Sequence, residues 1–194
     1  MINSFWVRPV CMDDLEDIKA LSFSATHGLT SLPKDEHLLT NNIEKSIRSF
    51  ETPLLKPIDE LYMFVLEDIT AKKVIGTAGI ISNVAAKDPF YTYHITPLSS
   101  HVGPDQSSPH ILELSTNPFP SSELCMLFLH PDYRNTHLGR FLSLVRFSFI
   151  QSHLYRFRST LIAELRGQSS PNGECPFWDH IMRPFFKCSF FEAD

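Results

Sequence analysis

The stretch SSELCMLFLHPDYRNTHLGRFLSLVRFSFIQS, residues 121–152, determines how the rest of the chain is interpreted. Its apolar first part predicts a buried strand, a short loop with Arg134 follows, and an amphipathic helix is expected to begin near Leu138. A helix that starts directly after such a loop presents unpaired N–H groups and a partial positive charge to an anion. The stretch therefore predicts a phosphate-binding loop between a central strand and a helix.

The composition is that of an ordinary globular protein. With 194 residues, 43% hydrophobic and 20% charged, the chain is long enough for one domain with a substantial core. A formal net charge of -5 gives no general attraction to nucleic acid or to an anionic membrane. No apolar run is long enough to cross a bilayer, the N-terminus lacks a signal-peptide pattern, and the four cysteines form no CxxC pair. We therefore expect a cytoplasmic protein with no nucleic-acid or membrane partner.

The remaining chain is predicted to alternate between strands and helices. Asp13 and Glu16 resemble a capping box at the start of a first helix, and Leu39, Ile43 and Phe50 lie on the apolar face of a second helix. Strands or extended segments are predicted at residues 5–10, 61–67, 74–84, 88–97, 110–115 and 160–166. The first should lie near a sheet edge because of its proline. This order indicates one mixed α/β domain.

The loop and its place in the chain resemble those of the GNAT superfamily of acyl-CoA-dependent N-acyltransferases. In that family the pattern is Arg or Gln, two residues, Gly, one residue, then Gly or Ala. Here Arg134 and Gly139 fit this pattern, and His137 stands where the family prefers glycine. The resemblance implies an α/β (α+β) fold with a central mixed, mostly antiparallel sheet flanked by helices.

Further stretches make the chain resemble the arginine N-succinyltransferase family along nearly its whole length. They are HGLTSLP (27–33), YMFVLED (62–68), DPFYTY (88–93), SSELCMLFLHPDYR (121–134), IAELRG (162–167) and PFW (176–178). Their order and spacing match about the first half of a family member. Residues 1–194 are thus expected to form one GNAT-like domain with the second lobe absent. The histidine proposed as the family's proton donor belongs to that lobe, so a truncated chain, half of a split enzyme and a decayed relative all stay open.

The family resemblance implies transfer of succinyl from succinyl-CoA, a co-substrate, to the α-amine of L-arginine, a step of arginine catabolism. The protein would position two substrates, stabilise an oxyanion and remove a proton from the amine. The family's succinyl-CoA position matches Leu127, whose competing interpretation is a core leucine of a buried strand. The pyrophosphate would be held by Arg134, His137, Leu138, Gly139 and Arg140. Whether His137 obstructs the phosphate or donates a hydrogen bond to it stays open.

Acidic and polar residues near the thioester are the remaining site candidates. Glu164 and Glu123 are candidate proton acceptors. Arg166, on the same predicted strand face as Glu164, is a candidate for binding the succinyl carboxylate, although a cross-strand ion pair explains the two equally well. Thr30 and Ser31 are expected to touch the acceptor because this fold closes over it with such a loop.

Other interpretations receive less support from the residues. Cys125 lies in an apolar strand, where burial raises the pKa of a thiol, so it is a poor nucleophile. The nine histidines show no HExxH pattern, and we expect no metal site. Two rivals stay open: an acyltransferase for another small amine, and a non-catalytic half that binds CoA or a second-lobe chain. Aromatic residues of the tail also predict a covered surface, as in a homo-oligomer: Phe177, Trp178, Phe185, Phe186, Phe190 and Phe191.

Overall fold

A five-stranded sheet with helices on both faces forms the body of the protein. The computed structural model describes residues 4–25, 29–84, 86, 89–97, 110–116, 120–165, 167, 169–170 and 174–193. The strands are β1 (Phe5–Pro9), β2 (Leu61–Asp68), β3 (Lys73–Ile81), β4 (Tyr91–Pro97), β5 (His110–Thr116), β6 (Ser121–Leu129) and β7 (Thr160–Ile162). The α-helices are α1 (Leu15–Ser24), α2 (Glu36–Glu51), α3 (Leu138–Ser152) and α4 (Phe190–Ala193).

The sheet is mixed and mostly antiparallel, which confirms the expected architecture. Its order is β1-β2-β3-β6-β7, and only the β6–β7 pair is parallel. The first strand lies at the sheet edge, as its proline predicts. Strands β4 and β5 pair with each other in a separate two-stranded sheet. The connection from β6 through α3 to β7 is the βαβ crossover that a parallel pair requires.

The central strand β2 explains how the two layers of helices attach to the sheet. Leu61, Met63 and Val65 pack in one core with α1 and α2, whereas Tyr62 and Phe64 point to the other face, where α3 packs. Successive side chains of a strand alternate between faces, so a strand covered on both sides is continuously apolar. All of residues 61–66 are buried accordingly.

Some predicted boundaries differ from the structure. Asp14, not Asp13, is the N-cap residue of α1, but its side chain makes no capping hydrogen bond to that helix. The Asp14 carboxylate instead accepts from the Cys11 N–H at 2.8 Å across a 3-10 turn, Met12–Asp14, that precedes α1. Arg8 also donates to Asp14 at 2.7 Å, so β1 fixes this carboxylate in place. The last strand ends at Ile162 and not at residue 166. The predicted loop at residues 99–108 lies outside the described residues.

No helix in the described part of the chain is long and apolar enough to cross a membrane. All four cysteines are free thiols, and Cys125 and Cys175 are buried.

Candidate functional site

Strands β6 and β7 part soon after they begin. Their parallel pairing runs from Ser121–Thr160 to Glu123–Ile162. Past that point residues 163–165 leave the sheet, and a cavity of about 640 Å³ opens between them and residues 123–127 of β6. A strand edge without a neighbour offers backbone N–H and C=O groups to an extended ligand. The gap therefore provides a slot beside the central strand.

A bulge distorts β6 where it borders this slot. Met126 has a left-handed backbone with φ of 54°, and the pairing with β3 shifts register between Thr77 and Gly79. The bulge is held from two sides, since the Thr77 hydroxyl donates to the Met126 carbonyl at 2.8 Å and the Met126 N–H donates to Ser31 Oγ at 3.0 Å. Leu127 follows the bulge and is 42% exposed, so the core-leucine interpretation is wrong.

Glu123 stands between two cavities. It lines the slot and also a neighbouring cavity of about 500 Å³, and the two share Thr30, Ser31 and Met126 as well. Burial, and secondly the charge of Glu164, raise the pKa of Glu123 to about 7. A carboxyl group of this kind can take up or release a proton near neutral pH. Glu123 is thus the described residue of this site best suited to act as a general base.

Glu164 does not lie on a strand, contrary to the prediction. It lies beyond the end of β7, is exposed, and faces the same cavity as Glu123. Its charge raises the pKa of Glu123, so the two carboxyl groups interact. Arg166 lies outside the described residues, and so does the proposed pairing of Arg166 with Glu164.

The loop before α3 forms a third cavity, of about 410 Å³, which meets the slot at Leu127. Of the predicted cofactor-binding residues, Leu127, Arg134, His137, Gly139 and Arg140 line it. The Leu138 side chain packs instead against the core, so only its backbone is available to a ligand.

The backbone of this loop explains the glycine preference of the GNAT pattern. Asn135 and His137 have φ values of 63° and 65°, in the left-handed region that glycine adopts without cost. His137 is also the N-cap of α3, and its carbonyl accepts from the Phe141 N–H at 3.0 Å. The N–H groups of residues 138–140, in the first turn of α3, have no acceptor within the helix. The first turn of α3 contains no acidic residue, which favours an anion there.

The Arg134 side chain contacts the last residues of β6. Its Nε donates to the Leu129 carbonyl at 3.2 Å, and its guanidinium lies 5.6 Å from the centre of the Phe128 ring. These contacts hold the positive charge at the rim of the third cavity.

Arg146 is a site residue that the sequence reasoning missed. It lies on α3, is 4% exposed and lines the slot. The guanidinium donates to Ser143 Oγ at 2.9 Å and to the carbonyls of Ser143 and Cys125 at 3.4 Å each. Burial lowers the pKa of this arginine. A signal was present in the sequence, because Leu142, Arg146 and Phe149 share one face at helical spacing, which puts a charge on the buried side of the helix.

Two alternative chemistries can be judged from the described residues. Cys125 is buried, and burial raises its pKa to about 12, so it stays a neutral thiol near neutral pH. Within the described ranges no three His, Cys, Asp or Glu side chains are grouped so that they could hold a metal ion.

Comparisons with known proteins agree with this geometry. The family model described as arginine N-succinyltransferase beta subunit matches residues 5–194. Arginine N-succinyltransferase of Yersinia pestis (strain Pestoides F) is 40% identical over 191 residues, which are 97% of this chain and 54% of the relative. For arginine N-succinyltransferase subunit beta of Pseudomonas aeruginosa the identity is 37%, over 97% of this chain and 55% of the relative.

A solved structure shows the same fold. Arginine/ornithine succinyltransferase subunit AI from Pseudomonas aeruginosa is similar with a TM-score of 0.86 at 29% identity, covering 98% of this chain and 58% of that chain. The mixed, mostly antiparallel α/β fold expected from the sequence is thereby confirmed. The chain spans about half the length of the curated relatives that it matches.

Proposed function

Because the chain belongs to the arginine N-succinyltransferase beta subunit family, we propose that it binds succinyl-CoA and transfers the succinyl group to the α-amine of L-arginine. The amine nitrogen forms a bond to the thioester carbonyl carbon, the C–S bond breaks, and N2-succinylarginine and CoA are released. We further propose that residues 1–194 act as one acyltransferase unit to which a second lobe or chain is added.

The donor is proposed to lie across two of the cavities. Its pyrophosphate would occupy the loop of residues 134–140, where helix N–H groups and two arginines favour an anion. The pantetheine arm would follow the free edge of β6 as an added strand. This route brings the thioester to Leu127, where the loop cavity meets the slot.

The acceptor is proposed to enter through the cavity of about 500 Å³, past Thr30 and Ser31. The amine must be uncharged to attack, so its proton needs an acceptor within reach. Glu123 lies where this cavity meets the slot and takes that role, with Glu164 keeping its pKa high. This carboxyl group between the donor and acceptor cavities is the observation that carries the proposal.

A direct assay tests the function. Thiol release from succinyl-CoA and from acetyl-CoA is followed with and without L-arginine, and the product is identified by mass spectrometry. We expect arginine-dependent release with succinyl-CoA as the better donor, and N2-succinylarginine as the product. A preference for acetyl-CoA contradicts the succinyl assignment and favours transfer of another acyl group.

The second candidate is a half-enzyme that binds the donor but needs another polypeptide for turnover. It is favoured by exposed aromatics such as Phe177 and Phe185, the latter 80% exposed. In that case CoA binds without turnover, and activity appears when the remaining half of the Yersinia relative is added. Failure to bind any CoA ester contradicts both candidates.

A further inference from the structure

The Arg146 guanidinium is a buried positive charge with no ion-pair partner among the described residues. It is 4% exposed, and in the described part of the chain it makes no ion pair. Its contacts are one side-chain oxygen at 2.9 Å and two carbonyls at 3.4 Å, the long end of hydrogen bonding. Five N–H groups are available on a guanidinium, so donors are left over. Burying such a charge without an anion costs several kcal/mol.

The two carboxyl groups that line the slot do not supply that anion. Glu123 and Glu164 line the same cavity as Arg146. Neither of them forms an ion pair with the guanidinium in the part of the chain that the structure describes. The guanidinium is therefore available to an anion that enters the slot from outside.

The position of Arg146 identifies which part of a ligand it would meet. It lies in the third turn of α3, with its guanidinium at Ser143 and Cys125, and it does not line the loop cavity assigned to the pyrophosphate. Its Nη1 contacts the carbonyl of Cys125, two residues before Leu127, and the slot that it lines is the one that meets the loop cavity. The cavity assigned to the acceptor does not include it.

We propose that Arg146 binds the terminal carboxylate of the acyl donor and makes the slot selective for dicarboxylic acyl groups over neutral ones. This inference rests on the proposed function, since it assumes that the thioester lies at Leu127. A guanidinium can hold a carboxylate through two parallel N–H···O bonds, which a methyl terminus cannot receive.

Donor binding without acceptor tests the proposal. Dissociation constants of succinyl-CoA, butyryl-CoA and CoA are measured by calorimetry, because succinyl and butyryl have the same chain length and differ in the terminal carboxylate. We expect the wild type to prefer succinyl-CoA to butyryl-CoA by roughly ten- to hundredfold, as for one hydrogen-bonded charge. In Arg146→Met this ratio should fall to about twofold or less, with the affinity for CoA itself unchanged, and Arg146→Lys should retain part of it.

Arg48→Met is the matched control, since it removes an exposed helical arginine whose partner is Glu44. It should keep the wild-type ratio. Thermal melts separate a structural role: if Arg146 only ties α3 to β6, Arg146→Met melts lower without ligand and loses affinity for all three ligands equally. An equal loss of affinity for all three ligands overturns the inference. So does an unchanged ratio of succinyl-CoA to butyryl-CoA affinity in Arg146→Met, and so does a wild type that shows no preference between these two ligands. An effect of Arg146→Met confined to the Michaelis constant for arginine assigns the arginine to the acceptor's carboxylate and also overturns it.

The outcomes also separate this inference from the proposed function. A wild type that binds none of the three ligands contradicts both. Binding of all three without a preference contradicts only the role of Arg146.

Discussion

Ser31 and Met126, which are 95 positions apart in sequence, are joined by a hydrogen bond of 3.0 Å in which the Met126 N–H donates to Ser31 Oγ. The bond fastens the loop after α1 to the bulge of β6. It also satisfies a backbone donor that the distorted strand pairing would leave exposed. The loop proposed to contact the acceptor and the strand segment proposed to hold the thioester are consequently held together as one unit.

Replacing Ser31 by alanine should loosen that unit. The substitution leaves the Met126 N–H without its acceptor, which costs about 1–3 kcal/mol of unfolding free energy. We expect a lower urea midpoint and weaker binding of both substrates. Ser24→Ala is the control, because the Ser24 hydroxyl only donates to a carbonyl of its own helix and is exposed. Equal stability of the Ser31 and Ser24 variants would contradict the role given to this bond.

Replacing Glu123 by glutamine should remove the proposed general base. Turnover is expected to fall by roughly 10²- to 10⁴-fold with little change in succinyl-CoA affinity. In the wild type, kcat/KM should rise with pH through an apparent pKa near 7, the value that burial and Glu164 produce. Glu164→Gln should move this inflection to lower pH, because it removes the like charge. A pH profile unaffected by either substitution excludes Glu123 as the base.

The same group predicts how stability depends on pH. The pKa of Glu123 is about 7 in the folded chain against 4.5 for an unperturbed glutamate, so the folded state binds more protons between these values. Its contribution to stability therefore decreases as pH rises from 4.5 to 7 and is constant above that. Glu123→Gln should melt close to the wild type at pH 4 and above it at pH 8. Identical differences at both pH values would show that the carboxyl is not perturbed.

Gly76 should not tolerate a side chain. A Cβ there would lie 2.9 Å from the Phe128 carbonyl oxygen and 3.0 Å from Leu142 Cδ2, closer than packed atoms allow. We expect Gly76→Ala to lower the unfolding free energy by about 1–3 kcal/mol, measured by urea titration. In contrast, a Cβ at Gly139 meets Leu129 Cδ2 at 3.7 Å, an ordinary contact within a helix. Gly139→Ala should leave the unfolding free energy unchanged or raise it, and it serves as the matched control for Gly76→Ala.

Much of the fold was predictable because its elements are amphipathic or fully apolar over several residues. The periodicity of β2, α2 and α3 appears directly in the sequence, and the helix start at Leu138 agrees with the structure. The residues at which helices and strands begin and end were less predictable from the sequence. The position of Asp14 at the start of α1 depends on Arg8 from a neighbouring strand, and β7 ends at Ile162 where its pairing with β6 ends.

The sequence by itself determined the order of elements, the loop predicted to bind phosphate and the family, since local patterns and motif spacing are properties of the chain. Only the tertiary structure decided what surrounds those residues. The pKa of Glu123 depends on burial and on Glu164, 41 positions away. The charge of Arg146 matters because it is buried and no described carboxylate forms an ion pair with it. Desolvation and Coulomb interactions depend on distances in space, which residues far apart in sequence acquire only when the chain folds.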